Sequence, residues 1–394
     1  MYRIKNALIF LVIIFSFSQI FPNESINESR TESKLRGMAG ISSNGNNFVS
    51  TFWADTLMVN PAFGVYLKAK WGFTIENTFE TNIRGTNNST AINIGDHFDS
   101  MFLFNLKKLV FGFGGKNVGL NIIADTTGNI SVPATLGLDL LFAINVTGNF
   151  KFGIIASFYS HSFTNPNFLA NITPGFMWFY KQHRFSLAIP LKYSYISTFG
   201  LSHQLSASVI FVDDIKVNNN VSIRIPARID ATVKTNATTF DIDLPGSIGI
   251  AVSSRVIKNA LMFIGTDIKI GPSITNNSLD NSYITTHLAP TFSAGIEGAI
   301  SSKISLRAGL SADICNFKLV TYKNSPHTTN TFTLFTNPRI ATGLTFNLKG
   351  AYRLDIASEL QYLGSTIYWE TANPLFNYYN FMLTLRVAIS LFSD

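Results

Sequence analysis

The sequence predicts an all-β fold: a closed antiparallel transmembrane β-barrel of about fourteen to sixteen strands, with an N-terminal segment plugging the lumen. Three observations predict it. Apolar and polar residues alternate with a period of two along most of the chain, charge is scarce while phenylalanine is abundant, and the connections between strands alternate between short and long. Successive side chains of a strand point to opposite faces, so the alternation means strands with one apolar and one polar face.

Val65, Leu67, Ala69, Trp71, Phe73 and Ile75 alternate with Tyr66, Lys68, Lys70, Gly72, Thr74 and Glu76. Phe185 to Ser194, Val221 to Val233, Ile304 to Ile314 and Tyr352 to Tyr362 repeat the pattern. In sequence order the strands fall near 64–76, 98–106, 109–125, 134–146, 150–163, 169–180, 184–197, 203–213, 220–234, 241–256, 260–274, 287–300, 303–318, 332–348, 351–364 and 377–392. Tight turns such as Lys107-Lys108, Lys181-Gln182-His183, Ser301-Ser302 and Lys349-Gly350 follow the even strands. Longer polar loops, Thr81–His97, Thr275–Thr286, Leu319–Thr331 and Ser365–Phe376, follow odd ones. Outer-membrane barrels have this asymmetry, with short periplasmic turns and long extracellular loops. The last strand, Phe381 to Leu391, resembles the C-terminal strand that barrel-assembly machinery recognises, although the usual terminal in-phase aromatic is missing, Leu391 holds the phase, and Phe392 is followed by Ser393 and Asp394.

Composition points the same way. Only 13% of the 394 residues are charged, and there are 35 Phe, 13 Tyr and 4 Trp. A soluble domain carries about 25% charged residues. No mature segment has the roughly 18 consecutive apolar residues of a membrane helix. The net charge of +7 is scattered through strands without a basic cluster, which argues for lipid head groups and against nucleic acid as partner. The single cysteine, Cys315, excludes an internal disulfide.

Residues 1–18 read as a cleaved signal peptide: Arg3 and Lys5 precede an apolar run, and Ser16 and Ser18 offer small residues for the peptidase. Residues 19–36 read as a flexible periplasmic tail. Residues 37–63, rich in Gly, Ala, Ser and Asn with interspersed aromatics, read as a lumenal plug, and 64–392 as the barrel. The plug ends in Asn60-Pro61-Ala62 just ahead of the first strand. That arrangement resembles the FadL-like family of outer-membrane transporters for long-chain fatty acids and other hydrophobic molecules. The resemblance implies that Asn60, Pro61 and Ala62 belong to a hatch that closes the lumen. The alternative is an ordinary turn entering a strand.

No catalytic or metal-binding constellation stands out, and no cofactor is implied. The six histidines are dispersed, and Ser202-His203 and His161-Ser162 are neighbours whose side chains face opposite ways on a strand. Gly112-Phe113-Gly114-Gly115 lies within β alternation, not at a phosphate-binding strand-to-helix turn. The phase places Lys68, Lys70, Lys192, Arg224, Arg228, Lys269, Arg307, Arg353 and Arg386 in the lumen, with Glu76, Asp230, Asp267, Asp313, Asp355 and Glu359. Most are expected to pair across strands, since unpaired charge in a narrow lumen is costly. The function expected is a passive outer-membrane channel for small or hydrophobic solutes. The alternatives are a surface adhesin or antigen scaffolded on a barrel, and a secreted soluble all-β protein.

Overall fold

In the computed structural model the chain forms one closed, sixteen-stranded antiparallel barrel. The structure describes residues 60–392 except residue 68 and stretches 87–88, 125–129, 132–133, 163–166, 197–201, 236–238, 258–259, 278–282, 323–327, 349–351, 363–364 and 370–377. The signal, tail and most of the plug segment lie outside the described residues.

The strands, in chain order, are β1 (Trp71–Thr86), β2 (Ser89–Leu106), β3 (Leu109–Ala124), β4 (Ile130–Ser131 and Ala134–Asn145), β5 (Phe150–Ser162), β6 (Asn167–Tyr180), β7 (His183–Ala188 and Leu191–Ile196) and β8 (Ser202–Lys216). They continue with β9 (Val221–Thr235), β10 (Thr239–Asp243 and Gly246–Ile257), β11 (Ala260–Asn277), β12 (Tyr283–Ala299), β13 (Ile304–Tyr322), β14 (Thr328–Asn347), β15 (Tyr352–Tyr362 and Ser365–Trp369) and β16 (Tyr378–Phe392). Each pairs with its sequence neighbours. β1 also pairs with β16, from Gly72↔Phe392 to Thr86↔Tyr378, which closes the wall and leaves no free edge.

Two of the interrupted strands break at a proline, which has no N–H to give the ladder. At Pro190 and Pro245 the neighbouring strands still bond across the gap: Ser208 N donates to Pro190 O at 2.9 Å and Asp230 N to Pro245 O at 2.8 Å. A bulge in β3 adds one residue between Phe113 and Gly119 relative to both neighbours, so the registers with β2 and β4 shift there.

The outer face is apolar. Leu136, Leu138, Leu140 and Phe142 on β4 are exposed while Thr135, Asp139, Leu141 and Ala143 between them are buried. Trp71, Phe104, Phe111 and Phe113 stand on the same outer face near the short turns; Trp71, Phe104 and Phe113 stack on Phe102, and Phe111 meets Phe113 at a tilt. At the opposite end Phe158, Phe168, Tyr195 and His203 form a second aromatic cluster. An apolar band between two aromatic girdles on an edgeless barrel is the build of an outer-membrane protein.

Three expectations need correction. The alternation from Val65 begins no strand: Pro61–Tyr66 is a 3₁₀ helix, and the first strand starts at Trp71. Asn60 caps that turn and Pro61 occupies its first position, where a missing N–H costs nothing. Thr81–His97 is not a long loop but a paired hairpin, with Thr81↔Ile94 and Thr86↔Ser89 in register. Its β-branched Thr and Ile residues suit a strand, and Ile83 opposite Ile92 carries the exposed apolar face into it, but the polar residues around them leave the period faint. Thr275–Thr286, Leu319–Thr331 and Ser365–Phe376 shorten in the same way, because the strands extend into them.

Candidate functional site inside the barrel

The described part of the N-terminal segment, Asn60–Leu67, lies inside the barrel. Asn60 is 1% exposed. Its Oδ1 accepts a hydrogen bond from Ala62 N at 3.0 Å, which starts the 3₁₀ turn. Its Nδ2 donates to Ser186 Oγ at 2.7 Å, to Phe176 O at 3.1 Å and to Leu187 O at 3.3 Å, all on the facing wall. One side chain therefore shapes the turn and ties it to β6 and β7.

Two wall glycines make room for it. A Cβ on Gly175 would sit 2.7 Å from Pro61 Cδ and overlap Asn60 Oδ1. A Cβ on Gly153 would sit 2.5 Å from Ala62 N. The side chains of Asn60 and Pro61 and the backbone of Pro61-Ala62 thus lie directly on the wall, closer than a Cβ on either glycine would allow.

Below this seat, Ala62, Phe63 and Leu67 pack with Met101, Leu103, Val110, Leu141, Ala143, Ile155, Met177 and Ala388. These eight wall residues come from β2 to β6 and β16 and project inward near the short turns. A lumen polar throughout was the expectation from phase. On this arc it is apolar, because the wall packs against the chain's own segment and not against water. Asn105 Nδ2 donates to Leu67 O, fixing the segment's far end.

The opposite arc carries most of the ion pairs, although Glu76, Asp139 and Lys151 are buried on the apolar side as well. Asp214 lies between two guanidinium groups: Arg184 Nε donates to its Oδ2 at 3.1 Å, and Arg224 Nε is 3.1 Å from its Oδ1 as an ion pair. Arg228 pairs with Asp230 at 2.7 Å, Lys269 with Asp313 at 3.0 Å and Arg353 with Asp355 at 2.8 Å. Arg307 lies 3.7 Å from Glu297 and donates to Thr345 Oγ1 at 2.7 Å, and Thr345 in turn donates to Asp355. Arg339 lies 3.7 Å from Glu359, and Asp267 accepts from Thr291. Many partners face each other in register, including Asp214↔Arg224 and Glu297↔Arg307, so the pairing follows from strand alignment.

Lys192 is exposed, opposite Ser206 on β8. Lys70 stands exposed in the bend before β1, at the short-turn rim and on no strand. Lys68 and the Arg386 side chain lie outside the described residues. Phase reasoning missed Asp214, Arg184, Glu297 and Arg339, and also the Lys116–Asp99 pair at 2.7 Å beside the β3 bulge. In Asp213-Asp214 only the register decides which carboxylate faces inward. Asp213 faces out and meets His183 Nδ1 at 2.9 Å. The wall glycines carried no signal, since a glycine in a strand has several explanations.

Among the described residues no three or more His, Cys, Asp and Glu side chains gather as a metal would require. What the interior offers is an apolar floor on one arc and mutually neutralised charges on the other.

No family model matches the sequence, and no curated protein matches it. Solved structures of outer-membrane proteins are similar in fold. A TodX monoaromatic hydrocarbon channel, as a deltaS2 mutant, is 10% identical over 86% of this chain and 94% of its own, with a TM-score of 0.47. A Pseudomonas aeruginosa FadL homologue is 8% identical over 86% and 94%, at 0.43. A bacterial polysaccharide outer membrane secretin is 8% identical over 82% and 98%, at 0.45.

Proposed function

We propose that this protein is an outer-membrane channel for passive uptake of small hydrophobic molecules, with Asn60-Pro61-Ala62 as the wall anchor of an N-terminal hatch. The observation that carries the reading is the seat of these three residues on Gly153 and Gly175 within an apolar inner wall. A segment held inside a lumen narrows the path for ions. An apolar floor lowers the cost of admitting an apolar solute, by about 25 cal/mol for each Å² removed from water. Paired charges on the opposite arc leave little net field to select an ion.

The family resemblance in the sequence and the TodX channel supply the probes, a long-chain fatty acid and a monoaromatic hydrocarbon such as toluene. Full-length protein in planar bilayers is expected to conduct ions poorly, and proteoliposomes to take up one of the two probes. Deleting residues 37–62 is expected to raise conductance sharply with the barrel still folded. A large conductance in the intact protein, unchanged by the deletion, would leave a plain porin. Neither current nor uptake in either form would favour the adhesin. Insertion during assembly is expected to require barrel-assembly machinery, and depletion of that machinery would leave the chain unfolded in the periplasm.

A further inference from the structure

The two rims of the barrel differ in charge. The seven connections at the short-turn end contain Lys107, Lys108, Lys181, Lys258, Lys303 and Lys349 and not one acid. The eight at the other end contain Asp125, Asp280 and Glu370 against Lys323 alone. Every charge in the short-turn connections is positive, and three of the four in the other connections are negative.

Position and backbone strengthen the asymmetry. The described lysines of the short-turn rim, Lys107, Lys108, Lys181 and Lys303, are exposed. They lie immediately below the outer aromatic girdle of Trp71, Phe104, Phe111 and Trp178, whose rings mark the edge of the hydrocarbon. Lys181 Nζ stands 5.1 Å from the Tyr180 ring centroid, at that same level. Lys107 and Lys181 also hold left-handed backbone, φ 71° and 53°, in two-residue turns. Asn, Asp and Gly adopt that conformation most readily, and a long side chain there is disfavoured. Two turns therefore place lysine where turn geometry alone favours other residues.

We infer that the short-turn rim is a docking surface for the phosphate head groups of anionic glycerophospholipids in the adjoining leaflet. Lysine ammonium groups at head-group depth meet phosphates without burial, so each contributes through the surface potential and weakens with salt. The lipid-facing girdle makes a bilayer the occupant; a soluble polyanion would gain nothing from the rings above the lysines. This inference does not depend on the hatch, and it holds whatever the barrel transports.

The test uses full-length protein in nanodiscs of phosphatidylcholine and phosphatidylglycerol, with retained lipids identified by native mass spectrometry. Wild type is expected to retain phosphatidylglycerol preferentially, less so as salt rises. Replacing Lys107, Lys108, Lys181 and Lys303 together by Gln is expected to lower that preference, by about fivefold for each lysine that touches a head group. The same four positions changed to Arg are expected to keep it, and Lys323→Gln on the opposite rim to leave it unchanged. Heat-modifiable mobility on gels reports whether each barrel is folded. If the Gln variant does not fold, the wild-type preference and its loss in high salt decide the matter. No preference in wild type, or an equal preference in folded Gln and wild-type barrels, overturns the inference.

Discussion

At the scale of single residues the inner wall depends on charge pairs that the fold cannot leave half made. Asp214 is buried between Arg184 and Arg224, and Arg224 is itself buried. Asp214→Asn would strand two cations, and removing one partner of a buried pair costs roughly 3–5 kcal/mol. Urea titration of the folded barrel is expected to register a loss of that order, while replacing all three members together, Arg184→Met, Arg224→Met and Asp214→Leu, recovers much of it. On the outer face, Leu306→Arg puts a charge near the short-turn edge of the apolar band, at a cost of about 1 kcal/mol, against roughly 2–4 kcal/mol at the midplane. Ser305→Arg, one residue away, points into the lumen and is expected to fold normally while changing permeation. Equal folding yields for these two variants would refute the phase assigned to β13. Arg224 and Arg307 were placed in the lumen by alternation alone. Their partners Asp214 and Glu297 were not, because cross-strand neighbours are set by register.

The decisive element is the 3₁₀ turn at Pro61–Tyr66. Alternation from Val65 made it look like the start of a strand, and only Asn60 and Pro61 hint otherwise. The capping bond, the three bonds from Asn60 Nδ2 and the close approach to Gly153 and Gly175 outweigh the extended preference of Val65 and Tyr66. Asn60→Ala removes those bonds and leaves wall acceptors without a donor, each costing about 1–3 kcal/mol when buried. Gly175→Ala acts from the other side by filling the seat. Both are expected to raise single-channel conductance in a barrel that still shows heat-modifiable mobility. A conductance that stays at the wild-type level in both would mean that the seat does not hold the path closed.

For the whole molecule, closure and handed asymmetry matter most. Both chain ends of the barrel, Trp71 and Phe392, lie at the short-turn rim, which places that rim in the periplasm if the long connections face outward. Protease added to intact cells is expected to cut first within 278–282 or 370–377, the longer connections of the far rim. Early cleavage at Lys181-Gln182 or Ser301-Ser302 would reverse the orientation. Many strands are longer than the about 9–11 residues needed to cross a bilayer. β13 has 19 residues and β14 has 20. The surplus carries the wall beyond the membrane and turns apparent loops such as Thr81–His97 into paired hairpins.

The sequence by itself determined the fold class, the approximate number of strands and which face of most strands meets lipid, because a side chain's face depends only on its neighbours along the chain. Tertiary structure decided that Val65 to Lys70 is not strand, that Leu67 turns inward to an apolar floor, and that Asp214 rather than Asp213 faces Arg224. It also decided that Gly153 and Gly175 form a seat for Asn60-Pro61-Ala62. Each of these depends on contacts between residues some ten to more than a hundred positions apart, and no local period records which distant backbone will come close enough to need a missing Cβ.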